Sequence, residues 1–218
     1  SRFGRPDGDS ANCALEAWRQ VGQQTGIRAR DELRRGVERA LAELGQGFLA
    51  EPANTDLRAA LTAGRLTPAG YFQQLLRLVY RLIFLLTVEE RGLLHPPASD
   101  PAAQRLYERG YGLRRLRERG VRRSAHDAHT DLHAALKVTF RGLASGEPRL
   151  ALPALGGLFG SEQTPWLDAA QLQNRHLLGA LWALAWIARD GATERVNWHA
   201  LGPEELGSVY ESLLELVP

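Results

Sequence analysis

The chain has 218 residues, 44% of them hydrophobic and 24% charged, with a formal net charge of +2. That is apolar material enough for one ordinary domain without disulfide staples, and too much for a disordered tail. A single cysteine, Cys13, excludes an intrachain disulfide and any multi-cysteine zinc site, which agrees with a reducing, cytoplasmic setting.

Helical periodicity runs through the sequence, and an all-α fold of about eight helices is expected. Leu15, Trp18 and Val21 mark a first helix that runs out at Gly22 or Gly26. A second carries Ile27, Leu33, Val37, Ala40, Leu41 and Leu44 as a stripe beneath a charged face, with Gly45 and Gly47 expected to stop it. After a short helix around Leu57 and Leu61, Thr67 and Pro68 read as an N-cap and first-turn proline. They open the longest apolar segment, Tyr71 to about Arg91, whose leucines, valines, isoleucine and phenylalanine occupy nearly every face. Such a helix is expected at the centre of an irregular multi-helix domain.

Gly92, Pro96 and Pro97 end it, and Asp100 and Pro101 cap a short helix running to Gly110. An arginine-rich stretch, 113–123, follows, and Ser124 is expected to open a helix burying Leu132, Leu136, Phe140 and Leu143. Prolines and glycines make 145–167 loop-rich, or a short hairpin. Asp168 is read as the cap of a helix reaching about Asp190, with Trp182 and Trp186 in the core. A brief extended segment, Glu194 to Trp198, precedes a last amphipathic helix from Pro203 through Leu216. The uncharged run from His176 to Ala188 is shorter than the roughly 18–20 apolar residues that span a bilayer, so no membrane segment is expected. No methionine occurs and Ser1 opens no leader sequence, so the chain reads as a single domain over 1–218 and as part of something longer.

Three groups of residues invite chemistry. His126, His129 and His133, with Asp127 and Asp131 among them, would share one face of a continuous helix, a spacing compatible with zinc or a non-haem metal. The simpler reading is an ordinary helix start, because a third ligand from elsewhere and a second shell are not visible. Of 27 basic residues only Lys137 is a lysine, so positive charge is carried by guanidinium, the group suited to bidentate contact with phosphate. Eight arginines lie between Arg105 and Arg123 against Glu108 and Glu118, a local charge of 8 − 2 = +6. Arg114, Arg115, Arg117, Arg119, Arg122 and Arg123 form a candidate phosphate footprint with Tyr107 and Tyr111 beside it; a solvated helix face is the alternative. From Arg189 to Pro218 the sign reverses, two arginines facing six acids.

Catalytic signatures are missing. Pro96-Pro97 follows His95 rather than Asn or Asp, Lys137 lacks the acid two residues before it that a common nuclease signature needs, and no G-x-S-x-G occurs. Gly45-Gln46-Gly47 and Gly110-Tyr111-Gly112 follow no strand and lack the remaining glycine of a dinucleotide loop.

Three segments taken in order carry a resemblance: the apolar helix 75–86 running into Val88-Glu89-Glu90-Arg91-Gly92-Leu93-Leu94, the loop Pro153-Ala154-Leu155-Gly156-Gly157-Leu158-Phe159, and the closing segment 205–215. Together they resemble the helical region that precedes the catalytic domain of large adenine-specific DNA methyltransferases, the type IIG restriction-modification enzymes and related phage-defence methylases. The resemblance covers roughly 25–218 and implies a non-catalytic bacterial connector with no catalytic residue of its own. It implies a methyltransferase domain following in the same chain, where S-adenosylmethionine and an N-P-P-Y motif would lie, and double-stranded DNA as partner. The last helix would dock that domain through Tyr210, Glu211 and Leu214, and His133 would stand where a large core aromatic is expected. A free-standing helical adaptor is the second reading, and a metal-dependent enzyme using the three histidines the third.

Overall fold

The computed structural model describes residues 33–189 and 192–199. Helix α1 covers 33–50 of these, followed by α2 Thr55–Thr62, α3 Pro68–Glu90, α4 Pro101–Gly110, α5 Leu113–Gly120, α6 Asp131–Ser145, α7 Pro165–Ala169 and α8 Asn174–Ala185. Strands β1 Trp186–Arg189 and β2 Ala192–Arg195 pair antiparallel, Trp186 opposite Arg195 and Arg189 opposite Ala192. The expected first helix at Leu15, Trp18 and Val21, and the last one with Tyr210, Glu211 and Leu214, lie outside the described residues.

The irregular all-α architecture is organised around α3. Thr67 Oγ1 accepts the Gly70 N–H at 3.0 Å, and Pro68 fills the first turn, where its missing N–H costs nothing. Leu75, Leu78, Val79, Leu82, Ile83, Leu85 and Leu86 are all buried, so the helix is covered on most sides, at roughly 1.5–3 kcal/mol for each large side chain removed from water. Among the described residues α3 alone is long and apolar enough to cross a membrane by length and composition; 67% of its apolar window is buried inside the protein.

The helix boundaries differ from the sequence expectation at three places. Gly45 and Gly47 do not stop α1, which continues to residue 50. Gly47 is a point of close approach: a Cβ there would stand 2.6 Å from the His176 side chain, and one on Gly36 would stand 2.5 Å from the Ala183 carbonyl oxygen. Glycine lets α1 lie against α8 rather than ending the helix.

Ser124 does not open α6. Arg123–Ala125 makes a single 3-10 turn, and α6 begins at Asp131. The intervening segment is tied to the start of α8 by Asn174, whose Nδ2 donates to Asp127 and Asp131 at 2.8 Å each while its Oδ1 accepts the Leu132 N–H at 3.2 Å. The backbone N–H of Asn174 donates in turn to the His129 carbonyl at 2.7 Å.

The helix read from Asp168 to Asp190 is three elements. Pro165 starts the one-turn α7, and Lys137 Nζ donates to the carbonyls of Asp168 at 3.2 Å and Ala170 at 2.9 Å, meeting acceptors that the helix end leaves open. Helix α8 then ends at Ala185, and Trp186 and Ile187 leave it for β1, where β2 supplies the hydrogen bonds. Trp182 and Trp186 are consequently not core residues. Trp182 is 39% exposed, Trp186 is half-buried, and their rings stack with centroids 5.0 Å apart.

The loop-rich segment bends as expected, with a single antiparallel bridge between Glu147 and Leu152. Gly156 and Gly157 turn it through positive φ, +55° and +42°, in open space, so the pair serves chain reversal and not close backbone approach. The buried Arg81 of α3 holds the segment. Its Nε donates to the Leu158 carbonyl and its Nη2 to that of Gly160, each at 2.9 Å, while Nη1 donates to Thr164 Oγ1 at 2.7 Å and pairs with Asp168 at 3.3 Å. Phe140 and Phe159 lie against the guanidinium plane, 5.2 and 6.0 Å from their centroids.

Candidate nucleic-acid interface

The last two residues of α3 fix the arginine-rich helix. Glu89 sits at the start of α5, its Oε1 accepting the Leu113 N–H at 2.7 Å and its Oε2 the Arg114 N–H at 2.8 Å. The Tyr107 hydroxyl also donates to Oε1. Burial pushes the Glu89 carboxyl up, and these three donors and the Arg114 charge pull it back. The Tyr107 hydroxyl is held well above its ordinary value by burial and by the neighbouring carboxylate. Glu90 accepts Arg117 Nη1 at 3.1 Å and Arg195 Nη2 at 2.5 Å, joining α5 to β2.

These anchors divide the six candidate arginines. Arg117 does not belong to a surface footprint: it is buried at 7% exposure and spent on Glu90. Arg115 is half-buried and donates to the Gly110 carbonyl at 3.0 Å. Arg114, Arg122 and Arg123 are exposed and Arg119 half-exposed, and among the described residues their side chains have no ion pair or hydrogen bond. Leu113, Leu116, Arg117 and Gly120 turn inward, which leaves those four on the solvent side of α5 and of the turn that follows. The two tyrosines do not flank them as free rings. Tyr107 is core, at 1% exposure, and Tyr111 packs half-buried against the core.

The three histidines are not brought together on a helix. His126 and His129 precede α6 altogether. His126 Nε2 stands 2.9 Å from the Gly120 carbonyl, and the exposed His129 pairs with Asp127 at 3.2 Å. The His129 side chain, through its hydrogen bond, is the main influence holding the Asp127 carboxyl below its usual range. His133 is buried edge-on against Phe48, with centroids 5.4 Å apart, and burial together with the Lys137 charge lowers it to about 3. No group of three or more metal-ligating side chains occurs among the described residues.

Gly45 and Gly47 lie within α1, and Gly110 and Gly112 lie at the junction of α4 and α5; neither pair follows a strand.

A concavity adjoins the arginine turn. Helix α8 lies between α1 and the end of α5, and its small residues Gly179 and Ala183 form the floor of a groove of about 710 Å³. Arg39, Glu43 and Gln46 of α1 make one wall, and Val121, Arg123 and His126 the other, with Trp182 rising from the floor. Glu43 faces His176 Nδ1 at 3.1 Å. Sequence reading missed Glu89 and Glu90 as anchors, although two acids closing an apolar helix just ahead of an arginine run are visible as a pair. It missed the groove because Arg39, Arg123 and Trp182 are far apart in the chain. Comparison with protein-family models, curated proteins and solved structures returns no match.

Proposed function

We propose that this chain is a non-catalytic helical module of an adenine-specific DNA methyltransferase in a bacterial restriction-modification or phage-defence system, and that it contacts duplex phosphate through Arg114, Arg119, Arg122 and Arg123. The supporting observation is the division of the arginines: among the described residues the side chains of Arg114, Arg119, Arg122 and Arg123 make no ion pair or hydrogen bond, and they project from α5 and the turn after it, where Glu89 and Glu90 fix the helix start and inner face. Pre-fixed cations give phosphate contacts a defined register on a duplex without reading its sequence. S-adenosylmethionine and the chemistry belong to the methyltransferase domain that would follow in the chain, docked through Tyr210, Glu211 and Leu214. A cytoplasmic setting goes with that role.

Duplex binding measured by fluorescence anisotropy at 50 and 200 mM salt tests the contact. Four phosphate contacts predict a log–log salt slope of about −3.6 and a loss of roughly a hundredfold over that range. The quadruple reversal R114E, R119E, R122E and R123E is expected to abolish binding; absence of binding at low salt would remove the DNA contact. Sequencing the reading frame past the Pro218 codon tests the parent enzyme. A glycine-rich methyl-donor loop and an N-P-P-Y motif are the expected finding, and an early stop codon would carry the adaptor reading instead.

A further inference from the structure

We infer that the groove between α1, α8 and the turn after α5 is a binding site for an unpaired nucleobase and its adjoining phosphate, as found in single-stranded DNA. The duplex contact proposed above is not needed for it: Arg123 is common to both, while Trp182, Arg39 and Gly179 belong to the groove alone. The volume, about 710 Å³, falls within the roughly 300–1,000 Å³ of sites that enclose small organic groups.

Trp182 supplies the stacking surface. One of its faces is occupied by Trp186, with interplanar angle 23° and centroids 5.0 Å apart, so its ring is held in a fixed plane while the side chain remains 39% exposed at the groove. A base can stack on such a platform whatever its identity, since every base offers a π-face. Gly179 and Ala183 keep the floor beside the indole low, which leaves room for a planar ring.

The charges suit a nucleotide rather than a neutral aromatic ligand. Arg39 and Arg123 reach the groove from opposite walls, and neither has an acidic partner among the described residues; Arg39 Nε makes only a long bond, 3.3 Å, to the Arg35 carbonyl of its own helix. Glu43, the one acid on the walls, already faces His176. Two cations flanking a fixed aromatic ring match a base with the negative charge of its phosphate beside it. The amide of Gln46 and the second oxygen of Glu43 stand where polar base edges can be met.

The test is anisotropy of a labelled single-stranded dodecamer of mixed sequence on the 218-residue chain, with the unlabelled duplex as a separate arm. Trp182→Ala is expected to weaken single-strand binding by about tenfold or more, and Trp182→Phe to restore most of it, while duplex affinity is unchanged in both. Arg39→Ala should lower the single-strand salt slope by about 0.7. Gly179→Met fills the groove from its floor, where a Cβ meets only the Glu43 side chain at 3.4 Å, and keeps the test valid if Trp182→Ala fails to fold. Single-strand binding unaffected by both Trp182→Ala and Gly179→Met overturns the proposal, as does a loss in Trp182→Phe equal to that in Trp182→Ala. A chain that binds duplex but no single strand defeats this inference alone, and the converse defeats the duplex contact alone.

Discussion

Arg81 and the arginines after Gly112 are the same residue in opposite circumstances. Arg81 is fully buried, with Leu158, Gly160, Thr164 and Asp168 all accepting from it, and burial is the first influence lowering its guanidinium from the ordinary value. Arg114, Arg122 and Arg123 are exposed, and their side chains make no hydrogen bond or ion pair among the described residues. The difference is one of acceptors: a buried cation persists only where carbonyls and a carboxylate surround it, and a surface cation without them is available to a ligand. Charge density along the sequence therefore says little about use. The run 114–123 contains two arginines held by the fold, Arg115 and Arg117, and the apolar helix contains another, Arg81, that any charge count overlooks.

The sharpest way to break the comparison is to remove the buried member. Arg81→Met strips the 156–168 segment of four acceptor contacts and leaves Thr164 and Asp168 without their cation. A loss of about 3–5 kcal/mol is expected, read as a fall in the urea midpoint of unfolding at unchanged slope. A loss below about 1 kcal/mol would mean that Phe159 and Leu158 hold the loop by apolar burial alone.

A second buried titratable group sharpens the same point from the other side, because burial and the nearby Lys137 charge keep His133 neutral. Its value is lowered to about 3 in the fold against 6.5 when free. A depressed histidine contributes stability that is whole above about pH 6.5 and is lost as pH falls toward 3, since the unfolded chain takes up the proton first. Between pH 6.5 and 4.5 the loss is on the order of 2 kcal/mol. His133→Leu should abolish that component, seen as the difference between the two denaturation-versus-pH curves. Parallel curves would show that the imidazole reaches water.

Glu89 tests whether the exposed arginines owe their placement to α3. Glu89→Ala removes the acceptor of two backbone donors at the start of α5 and of the Tyr107 hydroxyl. The cost expected by analogy with helix caps is about 1–2 kcal/mol. Amide hydrogen exchange should accelerate at Leu113 and Arg114 while α8 keeps its protection.

How far sequence reading reached follows the same divide between local and distant causes. Thr67-Pro68 and Asp100-Pro101 cap α3 and α4 as their chemistry requires, because a cap is set by its own next turn. The boundaries that moved were decided elsewhere. Gly47 sits inside α1 where His176 and Leu172 come too close for a Cβ, and the start of α6 waits for Asp131 because Asn174, 43 residues on, claims Asp127 and Asp131. The strand pair had a usable local signal, Asp190-Gly191 between two four-residue runs, outweighed by the helical spacing of the tryptophans. Of the candidate site, the basic run was visible but not its division, since Glu90 and Arg117 are 27 positions apart.

The smallest expected stability effect belongs to the exposed arginines, and it completes the contrast with Arg81. Arg114→Ala and Arg122→Ala remove no side-chain hydrogen bond or ion pair within the described residues, and Arg114→Ala only an exposed charge near Glu89, so each should change unfolding free energy by less than about 0.5 kcal/mol. The same substitutions should each reduce the magnitude of the duplex salt slope by about 0.9, so that the pair flattens it by about 1.8. Unchanged stability with a flattened slope separates a binding role from a structural one, which neither measurement achieves by itself. A pair of variants that lost stability by as much as Glu89→Ala would instead place these guanidinium groups in the fold, and the distinction between spent and available arginines would fail where it is drawn most cleanly.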